Sequence, residues 1–324
     1  MLRSLLFFIL ICNFTVVVAQ YEPQFSQNSF NLLSVNPGFA GSSGKVNLTG
    51  LWRNQWMGIE GAPKTTVFSA DMGVKFLGNE HGIGFNALRD EIGAFVNLRL
   101  SLAYSFRIDI GEGSLGSGIS MGVINQVLAG GDLYTDPKMS DESNIAIGES
   151  GYHIEDGLLQ SISGELNANT FDLGMGVFYK DKRMYSGISV MHLHQPSLNL
   201  NENLDIQLQR TWFITGGYSF SLIDKPIDIE PQFFLKTDES IYQLDISTIC
   251  KFKKRYWGGL SYRLQDAIVL LAGFEMKNGI KVGYSYDFTT SHLAGFQTHE
   301  VMFSYSFTVG VSKKSKHYRS VRYL

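Results

Sequence analysis

The sequence predicts an all-β chain, a transmembrane antiparallel β-barrel of about 14 strands, from three observations. Apolar and polar residues alternate over runs of about ten or more positions, longer than the roughly five or six residues of a soluble strand. Glycine is abundant at 34 residues, proline scarce at 7, aromatics reach 13% and charged residues only 18%, a mix suited to strands and tight turns. The stretches between strands are short on one side and long on the other, as in outer-membrane barrels with periplasmic turns and outer loops. Mean hydropathy of -0.01 excludes a bundle of membrane helices, which needs apolar runs of about 20 residues, whereas a barrel turns only alternate residues to lipid. A net charge of -3 and a pI near 6.2 provide no basic face for nucleic acid, so none is expected as a partner.

Residues 1–19 read as a secretory signal peptide. Arg3 supplies the positive start, Leu5 to Val18 is mostly apolar, and a cut after Ala19 would leave Gln20 first. Lipidation at Cys12 is opposed by the bulky Ile11 before it. With Cys12 gone only Cys250 remains, which excludes internal disulfides and thiolate metal clusters. Residues 20–43 carry Phe25, Phe30 and Phe39 among Asn, Gln and Ser; a plug in the lumen and a periplasmic arm are both open.

Residues 44–309 are the expected barrel. Strands should begin near Gly44, Lys64, Gly82, Phe95, Ser117, Phe171, Arg183, Arg210, Pro226, Ile241, Tyr256, Ala267, Gly279 and Thr298. The clearest runs from Val96 to Asp109: Val96, Leu98, Leu100, Leu102, Tyr104, Phe106 and Ile108 share one parity, and Asn97, Arg99, Ser101 and Arg107 lie on the other. A period of two sustained this long is a strand with one apolar face, and no helix produces it. In the last strand Phe303 and Tyr305 should face lipid and Ser304 the lumen. Short connections such as Leu77 to Glu80 and Asp181-Lys182 stand against long ones such as Gly130 to Thr170 and His194 to Gln209, an asymmetry that puts both termini in the periplasm. Pro231 inside a strand predicts a bulge or an early strand end. The inward charges Arg53, Arg99, Arg107, Glu230, Lys236, Asp245, Arg263 and Asp287 permit a polar channel or a lumen sealed by ion pairs and a plug. Residues 310–324 form a basic periplasmic tail, in which Lys313, Lys314, Lys316, Arg319 and Arg322 are candidates for docking a partner; a solvated tail is the alternative.

No catalytic or cofactor signature is present: G-x-S-x-G, P-loop, H-E-x-x-H and dinucleotide fingerprints are all missing. His192 and His194 have the spacing at which strand residues share a face, but no third metal ligand is evident. The acidic stretch Asp132 to Asp156 lacks the order of a calcium loop and reads as a solvated outer loop.

The stretch from Pro23 to Ala70 carries a spaced series: Phe25-Ser26-Gln27; Asn36, Pro37, Ala40 and Gly41; Arg53, Asn54, Gln55 and Trp56; Gly58; and Gly61, Ala62, Pro63, Lys64 and Thr65. This series resembles the N-terminal signature of the PorP/SprF family of the type IX secretion and gliding system of Bacteroidetes, and the closing "HEVMFSYSF" agrees with it. Phe39 stands where many relatives have tyrosine. The resemblance implies an outer-membrane barrel without enzymatic activity or cofactor. It also implies support for the secretion or surface attachment of other proteins, such as a large adhesin exported by its C-terminal domain. Implied partners, besides outer-membrane lipids, are the periplasmic ring and peptidoglycan-binding subunits of the machine. The motif residues Asn36, Pro37, Ala40, Gly41, Arg53, Asn54, Gln55, Trp56, Gly58, Gly61, Ala62, Pro63, Lys64 and Thr65 become candidates for partner binding. Arg53 and Gln55 share the inward parity, where their donors can meet carbonyls or carboxylates of a plug or of an arriving chain. Gly58, Gly61 and Pro63 suit a tight connection between the first two strands. A solute channel and an outer-membrane hydrolase are the competing functions.

Overall fold

A computed structural model describes residues 22–129, 165–202, 204–291 and 293–308. The signal peptide, the acidic stretch Asp132 to Asp156 and the basic tail fall outside these. Strands follow in the order β1 (Val46–Met57), β2 (Lys64–Phe76), β3 (Asn79–Ile92), β4 (Phe95–Ile110), β5 (Gly113–Ala129), β6 (Glu165–Lys180), β7 (Met184–Met191), β8 (Ser197–Asn201) and β9 (Leu204–Gln207). After them come β10 (Thr211–Tyr218), β11 (Phe220–Ser221), β12 (Ile227–Thr237), β13 (Tyr242–Phe252), β14 (Tyr256–Arg263), β15 (Ala267–Glu275), β16 (Ile280–Thr289) and β17 (Gln297–Phe307). Sequential neighbours pair antiparallel, β7 pairs with β10 across the β8–β9 hairpin, β10 pairs with β12 across β11, and β1 pairs with β17. With β10 and β11 counted as one wall element interrupted at Ser219, the ring is a closed barrel of 14 strands.

Closure is what these sequences require, since a two-faced strand must bury one face and satisfy both edges, and lipid offers edges no hydrogen bonds. Outward residues are apolar and exposed on β4 from Leu98 to Ile110 and on β5 at Ile119, Met121 and Val123. In the last strand Phe303 is exposed and Ser304 is buried, with its hydroxyl 3.1 Å from that of Thr49. Polar pairs bound this belt. At the level of one border Lys75 meets Glu80 on the lumen side; on the outer face of the other Arg89 meets Glu91, and Asn125 donates to Asn167 and Asn169. Glu80 to Arg89 spans about nine residues of β3, roughly 30 Å along the strand. A tilt of about 40° reduces that to roughly 23 Å, close to the ~25 Å apolar band of an outer-membrane barrel.

β5 and β6 begin earlier than the alternation suggested, at Gly113 and Glu165. Their extra residues lie at the belt's borders, where outward positions such as Asn167 and Asn169 are polar and the two-faced pattern fades. β12 runs through Pro231 without a bulge against β13, with Pro231 opposite Thr248. The irregularity falls on the other side: between Gly217↔Gln232 and Phe220↔Ile229 the ladder lapses where β10 gives way to β11. A residue lacking an N–H is thus matched to a gap in its neighbour rather than to an end of its own strand.

One rim carries short turns, such as those after β2, β4 and β6; the opposite rim carries the longer connections together with the two-residue β3–β4 turn. The β8–β9 hairpin leans inward at this loop rim. There Leu198, Leu200 and Leu208 are buried against Ile124 and Ala168 on the lumen faces of β5 and β6, each contributing about 1.5–3 kcal/mol relative to exposure. β1 and β17 start and end together at the turn rim, where Val46 faces Phe307. The chain before β1 does not stay on that side. Glu22 sits at the loop rim against Arg99, His192 and Lys236, so the two described ends lie at opposite rims. The expectation of both termini on one side holds for the wall strands and not for the described chain, because residues 22–45 run back through the lumen.

Candidate functional site

The lumen is organised around three anchor points for residues 22–45. At the loop rim, Arg99 of β4 donates to both carboxylate oxygens of Glu22, at 2.5 and 3.3 Å. His192, just beyond β7, lies with Nε2 2.6 Å from Glu22 and Nδ1 2.9 Å from Asp172, and Lys236 donates to the Glu22 carbonyl at 2.9 Å. Burial alone would push the Glu22 carboxyl up, but the charges of Arg99 and His192 and their hydrogen bonds hold it well below the usual carboxylate range.

The second anchor is a fully buried charge network. Arg53 of β1 donates to Asp287 at 2.8 Å, to Glu300 at 3.0 Å and to the Ser26 hydroxyl at 2.9 Å. Arg263 of β14 donates to Asp287 at 3.1 Å, to Asp245 at 3.2 Å and to the Phe25 carbonyl at 2.9 Å. Two guanidiniums face three buried carboxylates, with the partly exposed Asp266 also 3.5 Å from Arg263, and the chain inside the barrel supplies the remaining donors. The backbone N–H groups of Ser26 and Gln27 each donate to Glu300 at 2.8 Å, and the Ser26 hydroxyl donates to Asp287 at 2.8 Å. The network is complete only with Ser26 and Gln27 in place, since a buried carboxylate without its donors is costly.

The third anchor is built by shape. Asn36 caps the turn Pro37–Phe39 by accepting from the Gly38 N–H at 2.9 Å, and its amide donates to the Val177 carbonyl at 3.1 Å. The Gly41 N–H donates to Asp71 at 2.9 Å, and Gly41 has a φ of 71°, the left-handed region that favours glycine. Wall glycines make room for this turn: a Cβ on Gly82 would strike the Ala40 carbonyl, one on Gly118 the Pro37 backbone, and one on Gly176 the Asn36 side chain. Arg107 reaches the Gly38 and Ala40 carbonyls at 3.1 and 3.3 Å.

The motif residues therefore divide. Asn36, Pro37, Ala40, Gly41 and Arg53 lie in the lumen and join wall to inner chain. Gln55 is also buried, Thr65 donates to Asp90 at 2.6 Å, and Asn54 pairs with Lys64 in the ladder. Trp56, Gly58, Gly61, Ala62 and Pro63 form the β1–β2 corner at the loop rim. The Gln55 N–H donates to the Pro63 carbonyl at 2.9 Å, and the Trp56 N–H to the Thr298 hydroxyl at 3.1 Å, where the β1–β17 register shifts. Trp56 itself has a φ of 48°, a strained value for a bulky residue, and Gly61 has a φ of 70°. The tail candidates Lys313, Lys314, Lys316, Arg319 and Arg322 lie outside the described residues.

His192 and His194 do not share a face. β7 ends at Met191, His192 takes a φ of 54°, and its ring is buried between two carboxylates while His194 is exposed. Of the inward charges, Glu230 is only half-buried and pairs with Lys251 at 2.6 Å. Glu300 and the Glu22–His192–Asp172 group were not anticipated from sequence. For Glu300 a signal existed, since it shares the parity of Ser304.

A family model described as type IX secretion system membrane protein PorP/SprF matches residues 17–316. The chain belongs to the PorP/SprF family. It is a type IX secretion system membrane protein with an outer-membrane-type barrel. No curated protein matches it. Solved structures that resemble it include the Acinetobacter baumannii outer membrane protein Omp33, with TM-score 0.47 and 6% identity over 81% of this chain and 98% of that one. Others are a TodX deletion mutant, a monoaromatic hydrocarbon channel, at 0.46 and 9% over 86% and 94%, and the translocator domain of the autotransporter NalP from Neisseria meningitidis, at 0.41 and 13% over 81% and 88%.

Proposed function

We propose that this PorP/SprF protein is a closed, non-enzymatic platform in the outer membrane that supports secretion or surface attachment of a partner protein, such as a large adhesin with a C-terminal export domain. The reading places the loop rim outside the cell and the turn rim in the periplasm. The observation that supports it best is the lumen itself. Residues 22–45 are bound to strands all around the ring, and a carboxylate-rich network depends on them, so the interior serves to fix the barrel and partners are met at its rims. In this reading the β1–β2 corner from Trp56 to Lys64 faces the exported partner, and the tail cations Lys313 to Arg322 meet the periplasmic ring or peptidoglycan-binding subunits.

The test is the surface proteome of a deletion strain, complemented with the wild-type gene or with a gene truncated after Gly310. Loss of one or a few surface proteins, restored by the wild type, is the expected outcome; truncation should restore barrel levels but not the partner. An unchanged surface proteome together with reduced uptake of a small solute would replace this reading with a channel.

A further inference from the structure

The turn-rim mouth holds a feature that the platform reading does not use. Two adjoining cavities, of about 320 and about 310 Å³, open there between the inner chain and the wall, and Phe30 lines both. Seven basic residues against five acidic ones line the two lobes. Lys180, Lys251 and Lys281 project from the lumen faces of β6, β13 and β16, while Lys182 and Arg183 come from the β6–β7 turn.

The carboxylates are already engaged within the fold. Glu230 takes Lys251 at 2.6 Å and Glu275 takes Lys281 at 3.5 Å. Asp71 accepts from Gly41 and Asn47, Asp228 from Ser221, and Asp181 from the N–H groups of Arg183 and Met184. Among the described residues Lys180, Lys182 and Arg183 have no ion-pair partner within 4 Å, and the repulsion of Lys180 by Lys281, Arg107 and Lys251 is offset in part by Asp71. A knot of like charges held in a concave site draws an anion, and walls of low dielectric focus that attraction.

The floor adds an apolar requirement. Phe30 is only partly buried, its ring lies 5.4 Å from that of Trp257, and Leu32, Leu33 and Phe39 extend the surface. A lipid headgroup cannot reach a site inside the ring of strands, and a bare phosphate leaves the aromatic floor unused. We propose that the turn-rim mouth is a receptor for an acidic peptide segment of a partner protein. The segment's carboxylates meet Lys180, Lys182 and Arg183, and an aromatic or aliphatic residue between them covers Phe30.

The probe is a labelled synthetic peptide with aspartate and glutamate flanking one phenylalanine, titrated onto full-length protein in a neutral detergent. Wild type should bind it, more weakly as salt rises. Lys180→Gln with Lys182→Gln and Arg183→Gln should weaken binding about tenfold. Phe30→Ala should weaken the phenylalanine peptide severalfold and leave its alanine counterpart unchanged. Heat-modifiable gel mobility checks folding. If the triple change misfolds, Lys182→Glu alone, in an exposed turn, carries the same expectation at smaller size. Equal affinity of wild type and these variants overturns the proposal. So does binding that ignores Phe30→Ala and is displaced equally by inorganic phosphate or dextran sulfate, which would make the site a plain anion rim. Because binding is read on purified protein, it can fail while the deletion strain still loses its surface partner, and the reverse.

Discussion

Arg53 shows how much one side chain carries. It bridges Asp287 and Glu300 of two other strands and the hydroxyl of Ser26 on the inner chain. Removing one member of a buried ion pair typically costs about 3–5 kcal/mol, mostly from the charge left unpaired. Arg53→Ala is therefore expected to lower the unfolding free energy of the barrel by that order, read as a lower urea midpoint at unchanged slope. Adding Glu300→Gln should recover part of the loss, because one of three carboxylates then no longer needs a cation. A single variant as stable as wild type, or a double variant worse than the single, would contradict this account. Parity alone made Arg53, Arg263, Asp245 and Asp287 readable as inward charges, since a charge on the polar face of a lipid-spanning strand has nowhere else to go. Which charge meets which was not readable. His192 and Glu22 lie 170 positions apart, and no local pattern encodes a contact across the lumen between a wall residue and a chain whose place inside or outside the barrel was itself open.

At the scale of elements, the glycines of the wall and the turn Pro37–Phe39 form one unit. Gly82, Gly118 and Gly176 come from β3, β5 and β6, and each stands where a Cβ would enter backbone or side chain of residues 36–40. Gly82→Ala places its methyl on the Ala40 carbonyl, and neither backbone can yield cheaply, so overpacking of about 1–3 kcal/mol is expected. Gly50 has nothing within 4 Å of its Cβ position and serves as the control. Hydrogen exchange over residues 36–41 should rise in Gly82→Ala and stay unchanged in Gly50→Ala; equal protection in both would mean that the turn is not held by shape. The motif Asn36, Pro37, Ala40 and Gly41 was visible as a spaced series, and its geometry explains the residue types: a cap, a fixed φ, a small side chain and a left-handed glycine. The β8–β9 hairpin was harder to see. Its alternation is short and sits in what reads as a long loop, and its apolar face covers the lumen side of β5 and β6 rather than lipid.

For the whole molecule, the alternation of faces, the belt height and the closed ring agree, and they make two expectations. The first concerns the faces. Arginine on the lipid side near the midplane costs roughly 2–4 kcal/mol, so Phe303→Arg should cut the yield of heat-modifiable barrel, while Ser304→Asn, which keeps a polar group in the lumen, should not. Similar yields would remove the assignment of Phe303 to lipid. The second concerns orientation, which the rims express chemically but do not by themselves fix. In a Cys250→Ser background, Glu239→Cys places a thiol on the exposed β12–β13 connection at the loop rim, and Lys254→Cys places one on the exposed β13–β14 turn at the other. If the loop rim faces outward, a membrane-impermeant maleimide should label Glu239→Cys on intact cells, and Lys254→Cys only after the outer membrane is opened. The reverse pattern would turn the barrel over. It would put the β1–β2 corner in the periplasm and the cationic mouth outside, exchanging the sides on which the exported protein and the machine must be sought.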